Sequence, residues 1–272
     1  MNTFTLKVAA CLFMLADHAA VLSPPAVQLP MHWVGRLAFP LFAFLCAQAC
    51  EHTGDLVRYI LRLYAASVAM SGVEILLNRT GNAFTTLFHI ALIVALLSLR
   101  KPVHRAIGIV AYVGWQVVSY VALALVASGL SALGSVPSAI IGRILITVLG
   151  SAASIEGGYL YVLLGVALWL CRSSKRRLAV VYVACCAAFF VLYNCVGAYT
   201  GNPLMYFAGL LYTGWAPLTV NYQWMMIAAL PLMLAYDGSR GRPVKWLFYW
   251  FYPVHLAVIA VAMHLLGLQY GV

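Results

Sequence analysis

The chain is divided by long apolar runs, and their length decides what it can become. A helix crosses about 30 Å of hydrocarbon in roughly 20 residues. Runs near that length lie at 4–22, 33–50, 57–77, 83–99, 106–128, 144–170, 178–200, 213–235 and 246–267. Hydrophobic residues make up 65% of the 272 and charged residues 8%, against about 25% charged in a soluble domain. The expectation is an all-α polytopic membrane bundle of about nine transmembrane helices, with eight to eleven compatible. The uncertain spans are those around Ser154–Tyr161 (SIEGGYLY) and Tyr199–Trp215, where Gly, Pro and polar residues enter apolar sequence. Such pieces are tolerated in a bilayer only where protein or a water-filled cavity covers the freed backbone.

Charge orients the spans. Sixteen Lys and Arg face six Asp and Glu, for a net charge of +10. The excess gathers in three loops, Arg100–Arg105, Cys171–Arg177 and Asp237–Lys245. Loops rich in Lys and Arg stay in the cytoplasm, so even numbers of spans separate them. The N-terminus is then cytoplasmic, Ser23–Pro30 faces outward, Cys50–Arg58 faces inward and the C-terminus lies outside. A cleaved signal peptide is the competing account of the first 20 residues, with Lys7 before a short apolar core. Asp17 and His18 sit awkwardly at a small-residue cleavage site. No internal repeat, linker or low-complexity tail divides the chain, so residues 1–272 read as one domain. The basic excess belongs to membrane topology, not to nucleic acid. Seven cysteines, all in or beside apolar runs, read as packing groups.

Titratable residues inside such runs are costly and tend to be functional. Lys7, Cys11, Met14 and His18 follow helical spacing, share one face, and span about 16 Å from first to last. Asp17 lies about 100° round that helix from His18. His18 is either a base placed at the outer interface or an interfacial histidine bonded to a loop. Arg36, at the same interface, is always charged and needs a carboxylate, a carbonyl or an anionic group, unless it snorkels to lipid headgroups. Pro40 loosens its helix. Glu74 approaches the outer end of the third span, where Arg36 is a possible partner. On the inner side Glu51, His52, Arg58 and Arg62 gather, with Arg58 and Arg62 one turn apart and able to face a phosphate or simply anchor the loop. His255, behind Pro253, is a site residue or a packed core histidine. There is no HExxH, paired-Cys zinc motif, Walker loop or nucleophile elbow, so no metal is expected.

Three blocks, LKVAACLFMLADHA (Leu6–Ala19), GRLAFPLFAFLCAQACEHTGDLVRYILRL (Gly35–Leu63) and KWLFYWFYPVHL (Lys245–Leu256), resemble the signature blocks of the TraX family, the conjugative pilin acetylases. They occur in family order, and looser similarity fills the middle of the chain. The resemblance implies a multi-pass acetyltransferase of the bacterial inner membrane, acting on the N-terminal amine of a pilin subunit with acetyl-CoA as donor. It places Asp17, His18, Arg36, His52, Arg62 and His255 in the family's motif positions. Two departures bear on the acceptor: the family's Ser-Glu-Ile-Pro element is VEIL here, keeping Glu74, and Ala19-Ala20 follow the Asp-His pair.

Together these readings give an expected site. His18 serves as general base, or as the carrier of an acetyl group. Asp17 or Glu74 orients it, and Arg36 stabilises the oxyanion or anchors the acceptor. Lys7, His52, Arg58, Arg62 and His255 are assigned to the donor. Partners are acetyl-CoA, a pilin or similar peptide, and membrane lipids. Two alternatives stand beside this: the same fold acting on an amino sugar, lipid headgroup or other peptide, and a non-enzymatic channel, carrier or pilus-assembly scaffold.

Overall fold

Asn2 opens the first helix, its Oδ1 accepting from the Thr5 N–H at 2.9 Å, as an N-cap should. The computed structural model describes residues 1–78, 81–130, 135–196, 215–243 and 245–268. Of the mixed segment Tyr199–Trp215, only Trp215 is among them.

The described residues form helices α1 (Thr3–Ala19), α2 (Pro25–Gly35), α3 (Ala38–His52), α4 (Leu56–Leu76), α5 (Ala83–Leu97) and α6 (Pro102–Leu130). They continue with α7 (Ser135–Val148), α8 (Tyr159–Leu170), α9 (Lys175–Val191), α10 (Leu230–Leu234) and α11 (Lys245–Leu265). A 3-10 segment, Tyr222–Ala229, runs directly into α10. No β-strand occurs among the described residues. Among the described residues, six helical runs are long and apolar enough to cross a membrane: Thr3–Leu22, Pro25–His52, Leu56–Leu76, Pro102–Gly129, Lys175–Cys195 and Trp246–Leu265. Ala83–Leu97, Tyr159–Leu170 and Tyr222–Leu234 are shorter apolar helices. This is the all-α membrane bundle expected.

Burial follows the inverted logic of a lipid-facing surface. On α6, Val110 is 70% exposed while Ser119 is 1% exposed. Along the middle of α6 apolar side chains face outward while Gln116 and Ser119 face in, an arrangement that water would not support over so large a surface.

Two expected boundaries move, each for a local reason. Ser23–Pro30, expected as a loop, is mostly the start of α2. Pro25 sits at its first position, where a fixed φ and a missing N–H cost nothing. The expected span 144–170 is instead two helices, α7 and α8. Between them Gly150, Gly157 and Gly158 take φ of +59°, +72° and +73°, which side chains resist. The opened backbone is satisfied from α6. Gln116 Nε2 donates to the Gly150 carbonyl at 3.3 Å, and its Oε1 accepts from the Ala152 N–H at 2.7 Å. Trp115 Nε1 donates to the Leu149 carbonyl at 2.8 Å, and Ser119 Oγ to Ser151 Oγ at 2.9 Å. Non-helical backbone at membrane depth needs such partners.

Cα packing separates two compact units. The first holds Met1–Gln48 and the described residues from Ala167 onward; the second holds Ala49–Val166. In the first, α1 packs on α2 and α11, and the buried Tyr182 hydroxyl donates to the Met226 carbonyl at 2.5 Å, tying α9 to the 3-10 segment. In the second, α4 packs on α5 and α7.

Candidate active site

The polar centre of the first unit lies where α1 ends and α2 breaks. Asp17 and His18 occupy the last turn of α1. Gly35 closes α2, and Arg36 follows in the two-residue interruption before α3. Pro40 stands in the first turn of α3, where helices accept proline. The break is therefore at Arg36–Leu37 and not at the proline.

Asp17 and His18 are adjacent in sequence but point to different partners. Asp17 Oδ2 accepts from Arg36 Nη2 at 2.5 Å, and its Oδ1 accepts from His32 Nδ1 at 2.8 Å. Arg36 also donates from Nη1 to Gln223 Oε1 at 3.2 Å and from Nε to the His32 carbonyl at 3.3 Å. Its guanidinium lies 5.5 Å from the centroid of Tyr222, whose ring runs nearly parallel to His32 at 6.3 Å. A charged, planar group bonded along several directions is held far more firmly than a lone ion pair.

His18 pairs with His255 of α11, Nδ1 to Nε2, at 2.7 Å. The ring centroids are 5.0 Å apart and the planes 8° from parallel. With the two nitrogens that close, the rings meet edge to edge, joined along a lone-pair direction. His255 Nδ1 lies 2.7 Å from the Phe251 carbonyl, which only accepts, so Nδ1 carries a proton. With His255 neutral, its Nε2 offers a lone pair, His18 Nδ1–H donates to it, and the lone pair of His18 resides on Nε2. His32 reaches the same tautomer by another route, because its Nδ1 faces a carboxylate.

Lys7 and His255 also belong to the first unit. Lys7 Nζ sits 5.0 Å over the Phe248 ring, on the same face of α1 as His18 but toward the opposite end. His255, assigned from sequence to the donor, is bonded to His18. His52, Arg58, Arg62 and Glu74 belong to the second unit. Arg58 pairs at 3.3 Å with Asp55, which also caps α4, and Arg62 lies one turn further along α4. Glu74 accepts from Ser71 Oγ at 3.4 Å and Asn82 Nδ2 at 3.5 Å. The carboxylate bonded to Arg36 is that of Asp17.

Sequence reading missed His32, Gln223 and Tyr222. His32 carried a usable signal, since it stands four residues before Arg36 and so on the same helical face at the same end. Gln223 and Tyr222 meet Arg36 only through the fold. Among the described residues no three His, Cys, Asp or Glu converge as a metal site requires.

A family model described as TraX protein matches residues 3–263. No curated protein and no solved structure matches the chain.

Proposed function

The chain belongs to the TraX family, and on that premise we propose that it is a membrane-embedded acetyltransferase that moves an acetyl group from acetyl-CoA to the N-terminal amine of a pilin subunit. The family is linked to pilin acetylation and to conjugation, and the long apolar helices make this a membrane protein. The reading adds the bacterial inner membrane as the location, a cytoplasmic donor and an acceptor on the outer side.

One observation carries the reading beyond family membership: the His18–His255 hydrogen bond beside an Asp17–Arg36 pair. Acyl transfer to an amine needs a base whose lone pair is aimed and whose tautomer is held. His255 performs the second task for His18, as the carboxylate does in a hydrolase triad. On this reading His255 acts as a positioning residue for His18, a role its hydrogen bond supports. Arg36 is rigid enough to anchor an acceptor or face a developing oxyanion. Asp17 places negative charge where an incoming ammonium gains from it. The assignment of Lys7, His52, Arg58 and Arg62 to the donor rests on charge and on the family pattern, and that of Glu74 as an orienting carboxylate rests on its place near the outer end of the third span.

Mass spectrometry of pilin from cells with and without this protein tests the reading. Loss of the N-terminal acetyl group on deletion, restored by the wild-type chain, is the expected result. Pilin that stays acetylated in the deletion contradicts it.

A further inference from the structure

Acetylating an ammonium removes two protons from one nitrogen. The N–C bond forms and the thioester C–S bond breaks. One of the two protons ends on the departing sulfur and the other is released, so R–NH3+ and an acetyl thioester become R–NH–acetyl, a thiol and H+. Such a reaction has work for two bases. Around the Asp17–Arg36 pair the first unit places His18 and His32, and the groups their Nδ1 atoms bond differ in kind.

We infer that His32 takes the first proton, converting the acceptor's ammonium to the amine, with Asp17 as its positioning carboxylate. His18 takes the second during attack on the thioester and returns it to the thiolate. The inference rests on the acetyltransferase reading above.

Three features assign the roles this way round. His32 Nδ1 donates to Asp17 Oδ1 at 2.8 Å, so proton uptake at Nε2 leaves the ring bonded to a carboxylate, in the arrangement of a triad histidine. His18 bonds the imidazole of His255 instead, a partner suited to holding a tautomer through a transfer that begins and ends with the same proton count. The His32 side chain is 36% exposed, within reach of an acceptor. Its position is fixed by the near-parallel Tyr222 ring and by Arg36, which bonds both the His32 carbonyl and the other oxygen of Asp17. Asp17 therefore bonds the histidine fifteen residues away, while its sequence neighbour His18 bonds His255.

The test uses the purified full-length protein, acetyl-CoA and two acceptors of different basicity. A peptide α-amine, with a pKa of about 7.7–8, is mainly ammonium at neutral pH. Methoxyamine is already unprotonated there and has no need of the first base. His32→Gln is expected to lower kcat/KM for the peptide roughly 100-fold while methoxyamine changes by no more than a few-fold, and added imidazole restores the peptide reaction. His18→Gln slows both. The methoxyamine reaction also reports that the His32 variant is folded, and His32→Asn repeats the comparison. Equal losses with both acceptors in both His32 variants, or no loss with the peptide, overturn the role of His32. If the wild-type protein acetylates neither acceptor, the acetyltransferase reading itself fails and this inference falls with it.

Discussion

Gly35 packs its bare Cα against the side chain of Asp17. A Cβ at that position would collide with the Cβ, Cγ and Oδ1 of Asp17, the last at 2.6 Å. The close approach lets α2 deliver His32 and Arg36 to both oxygens of one carboxylate. Gly35→Ala is expected to displace Asp17, to cost about 1–3 kcal/mol through overpacking and to lower acetylation at least tenfold. Thermal unfolding in detergent and a transfer assay read the two effects separately.

Arg36 holds its neighbours with three nitrogens, which a lysine cannot reproduce. Arg36→Lys should keep the charge opposite Asp17 yet lose the fork, with activity falling more than tenfold. Arg36→Ala leaves Asp17, 18% exposed, without its cation. Removing one member of a buried pair costs about 3–5 kcal/mol, and partial exposure reduces that figure. The thermal midpoints should therefore fall in the order wild type, Lys, Ala. Equal midpoints would show that the pair contributes little.

The glycine-rich break between α7 and α8 depends on Gln116. Gln116→Leu strands the Ala152 N–H and the Gly150 carbonyl, which Gln116 satisfies at 2.7 and 3.3 Å. A buried polar group left unpaired costs about 1–3 kcal/mol. Thermal unfolding should show a clear loss, larger than that of Ser119→Ala, which removes a hydroxyl bonded to Ser151 Oγ at 2.9 Å and to the Gln116 carbonyl at 2.8 Å but strands no backbone group of the break.

Outside the spans, the Ser239 hydroxyl and N–H hold Asp237 Oδ1 at 2.5 and 2.9 Å. These bonds favour the charged form and depress its pKa from 3.8 to about 2. A depressed carboxylate adds stability above its unfolded pKa and loses it as pH falls through the folded value. Any contribution is thus complete above about pH 4 and fades toward pH 2, small because solvent screens the fully exposed group. Carbon-detected NMR of labelled aspartate should place the Asp237 midpoint near 2 and shift it upward in Ser239→Ala.

Much of the architecture was legible because apolar length is a local property. Runs such as 57–77 and 246–267 announce α4 and α11 without reference to the rest of the chain. Less legible were features set by backbone conformation, such as the positive φ of Gly150, which divides a run that hydropathy reads as continuous. In the site, Asp17, His18, Arg36 and His255 were visible as costly polar residues in apolar sequence. Their pairing was not. Helix geometry separates Asp17 from His18 by about 100°, and which element meets each side is decided by α2 and α11, both remote in sequence. His32 lay in view on the face of Arg36, yet its partner is Asp17 of another helix, and only packing at Gly35 brings the two within bonding distance.

His255 should matter through His18 alone. His255→Phe keeps an aromatic ring in the packing against Tyr252 and Phe251 but removes the acceptor that holds the His18 tautomer. It is expected to lower kcat by roughly 100-fold with little change in KM. A rise in KM at unchanged kcat would return His255 to the donor-binding role read from the sequence.

The most direct test of the account is transfer of isotope-labelled acetyl from acetyl-CoA to a pilin N-terminal peptide by the purified protein in lipid, read by tandem mass spectrometry. The account predicts label on the α-amine with the wild-type chain and none above background with His18→Ala. Equal labelling by the two proteins, or no labelling by the wild type, would contradict it.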